Sequence, residues 1–198
     1  MPGVGDLTGC GGALGNWGGS GTWSEDAGLT NVQNPGQFVS NVLVVGSPGA
    51  ANPAEALDYF NALKYLMRDP GMAAIIRRLQ DSDTIYEVYF IHDGNDAYLS
   101  STHSVFWDPK SSFLTKEGGC QSAALGLGHE LAHADNLWGG FLVKVKIGAG
   151  DYENQEEKRV IVGAEAKAAA TLGEPRRYDH IYGEARRDPN STSRTCRP

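Results

Sequence analysis

Gln121 to Gly140 reads QSAALGLGHELAHADNLWGG, and the five residues His129-Glu130-Leu131-Ala132-His133 at its centre form an HExxH pattern. In that pattern two histidines one helical turn apart bind a zinc ion, and the glutamate works on water at the metal. At about 3.6 residues per turn, positions i and i+4 leave the helix on one face. Both imidazoles can therefore reach a single metal ion about 2 Å from each ring nitrogen. Glu130 lies about 100° round the helix from His129, off the ligand line and beside the metal's open position. Ala123, Ala124, Leu125, Leu127, Leu131, Ala132 and Ala134 make the segment a small, apolar helix suited to lie buried beneath a cleft. Gly139-Gly140 is expected to end it, because each glycine inside a helix costs about 1 kcal/mol, while Gly126 and Gly128 are expected to permit close packing. Two ordinary histidines on one helix face are the competing reading.

A catalytic zinc site takes three protein ligands and keeps one position for water. The three-histidine spacing HExxHxxGxxH is not met, since the chain there runs Trp138-Gly139-Gly140-Phe141. A carboxylate from a later helix is the remaining common solution. Gln155 to Leu172, QEEKRVIVGAEAKAAATL, reads as that helix, closed by Gly173 and by Pro175. Glu165 is the expected third ligand. It sits mid-helix among Ile161, Val162, Gly163, Ala164, Ala166, Ala168 and Ala169, where a carboxylate is costly to bury unless paired or bound to a metal. Glu156 and Glu157 compete, although acidic residues at a helix start are expected from the helix dipole alone. The sequence thus predicts a Zn2+ site of His129, His133 and Glu165, with Glu130 as the catalytic base.

Working outward, Phe38 to Val45 is a β-branched apolar run that reads as a strand. Asn52-Pro53-Ala54-Glu55 is a helix start, with Asn52 as N-cap and Pro53 at the first helical position. Leu57, Phe60, Leu63, Tyr65 and Leu66 continue it to a stop at Asp69-Pro70-Gly71, and Met72 to Leu79 reads as a second packing helix. Thr84 to Ile91 alternates as a strand, His92 to Asp96 has turn composition, and a ligand role for the lone His92 is not expected. Ser104 to Trp107 is a short strand. Its residues Val105 to Trp107 suit either the sheet edge to which an extended substrate adds or an ordinary core strand. Phe141 to Ile147, FLVKVKI, reads as a half-exposed strand.

Length, charge and cysteines set the outer bounds. The 198 residues suit one domain with ends to spare, and half of the 26 glycines fall in the first fifty residues. Residues 1–36 are therefore expected to be a Gly-rich flexible leader or linker, 37–185 the domain, and 186–198 a mobile tail. A net charge of −7 with no long basic cluster argues against nucleic acid as a partner. There is no 18-residue apolar run and no cleavable leader, so no membrane span is expected. Three widely spaced cysteines, Cys10, Cys120 and Cys196, indicate neither a disulfide framework nor a second metal site.

LGHELAHA (Leu127 to Ala134), the upstream VFWDP (Val105 to Pro109) and the downstream EEKRVIVGAEAKAAATLGEPRR (Glu156 to Arg177) together resemble the NleD-like effector zinc metallopeptidases. That family includes type III secretion effectors and toxin domains of larger Rhs-type bacterial proteins. The likeness spans roughly Asn52 to Tyr182. Its most specific part pairs HELxHA with a glutamate upstream of Leu-Gly-x-Pro-x-Arg, and that glutamate maps onto Glu165. The family's arginine falls on Arg177, but its tyrosine three residues later is His180 in this chain. The donor that stabilises the transition state is therefore left open among Arg177, Tyr178, His180 and Tyr182.

The resemblance implies an α+β, zincin-like metallopeptidase in which a small mixed sheet accompanies the HExxH helix and a second helix carries the third ligand. It further implies a secreted effector or toxin, delivered by a specialised secretion system, that hydrolyses a protein of a target cell. The Gly-rich start fits attachment to a larger toxin or secretion-system carrier. A zinc amidase acting on another bond and a non-catalytic structural zinc module are the alternative classes; the second predicts a closed four-ligand site.

Overall fold

In a computed structural model of the chain, residues 42–45, 52–116, 118–136, 152–180, 183–187 and 190–194 are described, all within the unit Asn41–Pro198. Two helices open the order after strand β1 (Val42–Val45). Helix α1 (Pro53–Leu66) starts as its sequence dictates, the Asn52 side chain accepting from Ala54 N–H at 3.0 Å with Pro53 in the first turn. Helix α2 (Pro70–Gln80) follows directly, because Asp69 at the expected breaker caps it, accepting from Met72 N–H at 2.9 Å.

Strands β2 (Tyr86–Phe90), β3 (Ala97–Leu99) and β4 (Ser104–Trp107) join β1 in a sheet of order β1-β2-β4-β3. The β1–β2 and β2–β4 pairs are parallel and β3 runs antiparallel to β4. Parallel β1 and β2 need a long crossover, which α1 and α2 supply. Tyr86, Val88 and Phe90 alternate into the core. Trp107 is fully buried, with its indole N–H donating to Ala123 O at 2.8 Å and so fixing the sheet against the start of the HExxH helix. Of the two roles open to Val105–Trp107, the interior one is found: β4 is paired on both sides, and the edge strands are β1 and β3.

A second sheet of order β6-β5-β7 unites β5 (Ser111–Thr115), β6 (Cys120–Gln121) and β7 (Gly183–Arg187), all antiparallel. None of these three strands is expected from the sequence. The described part of the segment expected as a mobile tail from residue 186 is held by contacts. Arg186 and Arg187 pair with Ser112 and Ser111, and Ser191 is buried, its carbonyl accepting from Ala124 N–H at 2.8 Å. Cys120 is disulfide-bonded, which three widely spaced cysteines did not indicate.

Helix α3 (Ala123–Ala134) is the HExxH helix, capped by Ser122, whose side chain accepts from Leu125 N–H at 3.2 Å. It ends at Ala134 rather than at the glycine pair, which lies outside the described residues, as do the leader and Phe141 to Ile147. α3 is central, touching α1, α2, β3, β4 and β5. The approach is close: a Cβ at Gly128 would stand 2.9 Å from Leu66 Cδ2, and one at Gly126 2.9 Å from Asp96 Oδ2. The Gln155–Leu172 helix is present but interrupted. It comprises α4 (Gln155–Val160), a π turn (Ile161–Glu165) and α5 (Ala166–Leu172), closed by Gly173 at φ 70°. The described elements are thus an α+β arrangement of helices with two small sheets. Among them no helix is long and apolar enough to cross a membrane.

Candidate metal centre

α3 delivers His129 and His133 as their i, i+4 spacing requires. The two rings meet at 81° with centroids 4.6 Å apart, and their Nε2 atoms are separated by 2.9 Å. Both rings are buried, His129 at 3% and His133 at 9% exposure. Each ring's other nitrogen faces a carboxylate: His129 Nδ1 lies 2.7 Å from Glu165 Oε2, and His133 Nδ1 3.1 Å from Glu156 Oε1. A neutral imidazole has one N–H and one lone pair, and a carboxylate on Nδ1 fixes the proton there. With both protons on Nδ1, the two Nε2 lone pairs lie 2.9 Å apart, an arrangement that a shared cation, either a proton or a metal ion, would relieve. At a metal–nitrogen bond of about 2.05 Å, a 2.9 Å separation subtends about 90° at the metal, within the range of a real site.

α4 supplies the next donor. Glu157 Oε2 is 3.2 Å from His129 Nε2, and Oε1 is 3.4 Å from His133 Nε2, so this carboxylate faces both lone pairs. Glu165 is therefore relocated. It sits behind the His129 ring on Nδ1, where it orients the imidazole, and the position beside the two Nε2 atoms belongs to Glu157. The π turn explains how one helix brings both glutamates to one ring. Eight residues of α-helix would set Glu157 and Glu165 about 80° apart, and the extra residue of a π turn removes about 100° of that, leaving them about 20° apart on one face. Nothing in the local sequence announces this turn.

Outer groups hold the orienting carboxylates. Glu165, only 1% exposed, takes Arg177 Nε at 2.8 Å and Nη2 at 2.8 Å and Gln121 Nε2 at 3.0 Å, with the guanidinium 5.0 Å over the Phe113 ring. Burial alone would raise its pKa, but the Arg177 charge and the bond to His129 hold it down at about 2. Arg177 Nη2 is also 2.8 Å from His129 Nδ1. That contact cannot be a second hydrogen bond while Nδ1 donates to the closer Glu165 oxygen. Glu156 is held by Arg159 and by Asn136 Nδ2 at 2.7 Å; burial works against it, yet Arg159 and His133 bring it down to about 2. Burial opposes charge on His133, but its bonds to Glu156 and Glu157 prevail and raise it to about 9. For His129, burial and Arg177 lower the pKa, and the bonds to Glu157 and Glu165 outweigh them. A raised imidazole pKa is what a carboxylate-lined cation site produces when a proton takes the cation's place.

Glu130 lies beside this cluster. It is 7% exposed, and its Oε1 stands 4.0 Å from His129 Nε2, near the donor atoms but not among them. At the start of β3, Asp96 faces the same part of α3 and accepts from Asp108 N–H at 2.7 Å. Burial, reinforced by the charges of Glu130 and Asp108, pushes its carboxyl well above the ordinary range.

The four candidates for a transition-state donor separate. Arg177 is spent on Glu165, behind His129. Tyr178 is exposed, with Arg176 over its ring at 5.8 Å. Tyr182 lies outside the described residues. Among the described candidates, His180 faces the cluster: its ring stacks on His129 at 6.1 Å and 23°, and its Nε2 is 3.3 Å from Glu157 Oε2. Ligand atoms of His129, Glu157 and His180 all fall within 4.8 Å of one another, so this group can hold a metal ion. His92 is elsewhere, paired with Glu55 at 3.1 Å. Comparison with protein-family models, curated proteins and solved structures finds no match for the chain. The functional reading accordingly rests on the residues and their geometry.

Proposed function

We propose that the protein is a zinc-dependent peptidase of zincin-like fold. The observation that carries this reading is the facing pair of His129 and His133 Nε2 atoms at 2.9 Å, each ring having its Nδ1 on a carboxylate and Glu157 lying across both. Two imidazoles and a carboxylate are a zinc donor set, and the carboxylates on Nδ1 orient the ligands and raise their basicity. Zinc held there supplies Lewis acidity, lowering the pKa of water and polarising a carbonyl. Glu130 takes the proton from the attacking water and hands it to the leaving amine. Gln121, Arg177, Asn136 and Arg159 keep the orienting carboxylates ionised and fixed.

A second reading, a closed structural zinc site, draws support from the approach of His180 to Glu157. It leaves Glu130 as a buried carboxylate with no task, which is costly. The peptidase reading gives that side chain its role.

The resemblance to NleD-like effectors supports the wider proposal: secretion by a bacterium, delivery into a target cell, and cleavage of a protein there. The test compares wild type with Glu130→Gln, both assayed for zinc, for cleavage of casein, and for toxicity when expressed in bacterial and in yeast cytoplasm. Wild type should cut casein or harm one of the cells, with Glu130→Gln reduced about 10²- to 10⁴-fold while keeping one zinc per chain. Equal behaviour of two zinc-loaded proteins in every assay overturns the peptidase reading in favour of the structural site.

A further inference from the structure

The segment after α5 is pinned at three points before it reaches the metal centre. Glu174 accepts from Ser122 N–H at 2.8 Å, from Ser122 Oγ at 2.7 Å and from Tyr65 Oη at 2.8 Å. Pro175 O accepts from Gln121 Nε2 at 3.0 Å, and Arg177 is locked to Glu165. These anchors tie the segment to the residues that cap α3 and orient His129. Beyond them Tyr178 is exposed, Asp179 is buried and His180 faces the metal centre.

His180 is held in an unusual way. One face stacks on His129, Nε2 points at Glu157 Oε2, and Nδ1 is buried with no hydrogen-bond partner, 3.5 Å from Glu153 Oε1. An imidazole that gives up hydrogen bonding on one nitrogen is placed for what its other nitrogen does. That nitrogen lies within 4.8 Å of the ligand atoms of His129 and Glu157. His129, His133 and Glu157 stand on helices. His180 stands on a segment without helix or strand, its side chain 29% exposed, and is the one member of the set that can swing away without unfolding an element.

We propose that His180 is a displaceable fourth ligand: its Nε2 closes the metal site while the cleft is empty, and it leaves when a substrate carbonyl enters. The proposal rests on the metal centre of the preceding reading and adds a latch to it. The pinned segment keeps the imidazole at high local concentration, so closure returns after each turnover. The consequence is a peptidase that guards its metal from adventitious ligands until a substrate competes for the position.

The test uses the full chain loaded with Co2+, whose visible absorption reports the ligand set, in wild type, His180→Ala and His180→Asn. Both variants should bind one ion per chain about 10- to 100-fold more weakly in chelator competition, with altered absorption. Acetohydroxamic acid should convert wild type and both variants to one common spectrum, because it takes the place His180 vacates. If the variants match wild type in spectrum and affinity, His180 is no ligand and the inference falls, while the metal centre stands. If acetohydroxamic acid leaves a wild-type spectrum distinct from the variants, His180 does not leave and the latch falls. If wild type binds no ion, or Glu157→Ala binds as tightly as wild type, the metal centre itself falls.

Discussion

Glu165 Oε2 stands 2.7 Å from Nδ1 of His129, on the opposite edge of the imidazole from the nitrogen that faces His133. A carboxylate there can set the tautomer and the ring angle, but it cannot share a metal with Nε2. Glu157, 3.2 Å from Nε2, can. The two glutamates therefore have separable effects. Glu157→Ala should abolish retention of zinc through gel filtration, whereas Glu165→Ala should keep a site weakened about 10- to 100-fold in chelator competition. The reverse order of effects would restore Glu165 as the ligand.

Sequence and structure agree where the signal is local and part where it is not. Asn52-Pro53 and Ser104 to Trp107 carry their own start or periodicity and form as expected, whereas α3 carries its periodicity but ends at Ala134, short of the glycine pair. β5 and β7 lie about seventy residues apart in the chain, and GEARR has no apolar face of its own, so their pairing arises only from long-range contact. Glu157 is legible as a candidate, but the helix dipole already accounts for an acidic residue at that helix start. The π turn that swings Glu165 onto Nδ1 has no composition signal. His180 shows why residue type alone was not enough, because a donor in hydrolysis and a metal ligand call for the same side chain.

Protons and metal compete for His133, with a definite sign. Its folded pKa of about 9 lies above the unfolded value of 6.5, so in chelator-treated protein its stabilisation is complete below pH 6.5 and is lost as pH rises through 9. Glu156, at about 2 against 4.5, contributes above pH 4.5 and loses this as pH falls through 2. With respect to these two groups, the Tm of chelated protein should be highest between pH 4.5 and 6.5. Metal needs the unprotonated ring, so binding at pH 7 should release about one proton from His133, and affinity should rise with pH up to about 9. Calorimetry in two buffers of different ionisation enthalpy checks both; a pH-independent affinity between 6 and 9 contradicts the assignment.

Gly128 shows how tightly α3 is packed. Alanine there would gain about 1 kcal/mol of helix propensity, but its Cβ would sit 2.9 Å from Leu66 Cδ2 and 3.3 Å from Met72 Sδ. Leu66 and Met72 are fully enclosed and cannot give way freely. Overpacking of about 1–3 kcal/mol then exceeds the gain. Gly128→Ala should lower the urea midpoint with unchanged m; a raised midpoint would mean that the neighbours rearrange at little cost.

The π turn offers a sharper test, because it amounts to one inserted residue. Removing Gly163, around which a Cβ would meet nothing within 4 Å, sets the two glutamates seven positions apart in place of eight. Seven residues of regular α-helix turn through about 700°, which puts both carboxylates back within about 20° of one face. Deletion of Gly163 should therefore close the π turn into α-helix while α4 and α5 keep their packing and His129 keeps both partners. The shortened protein should bind zinc within about tenfold of wild type, with a Tm at least as high, since π geometry is the less favourable one. A protein that folds but loses zinc would show that the two glutamates are not aligned by the inserted residue, and that the π turn serves some purpose other than bringing them to one ring.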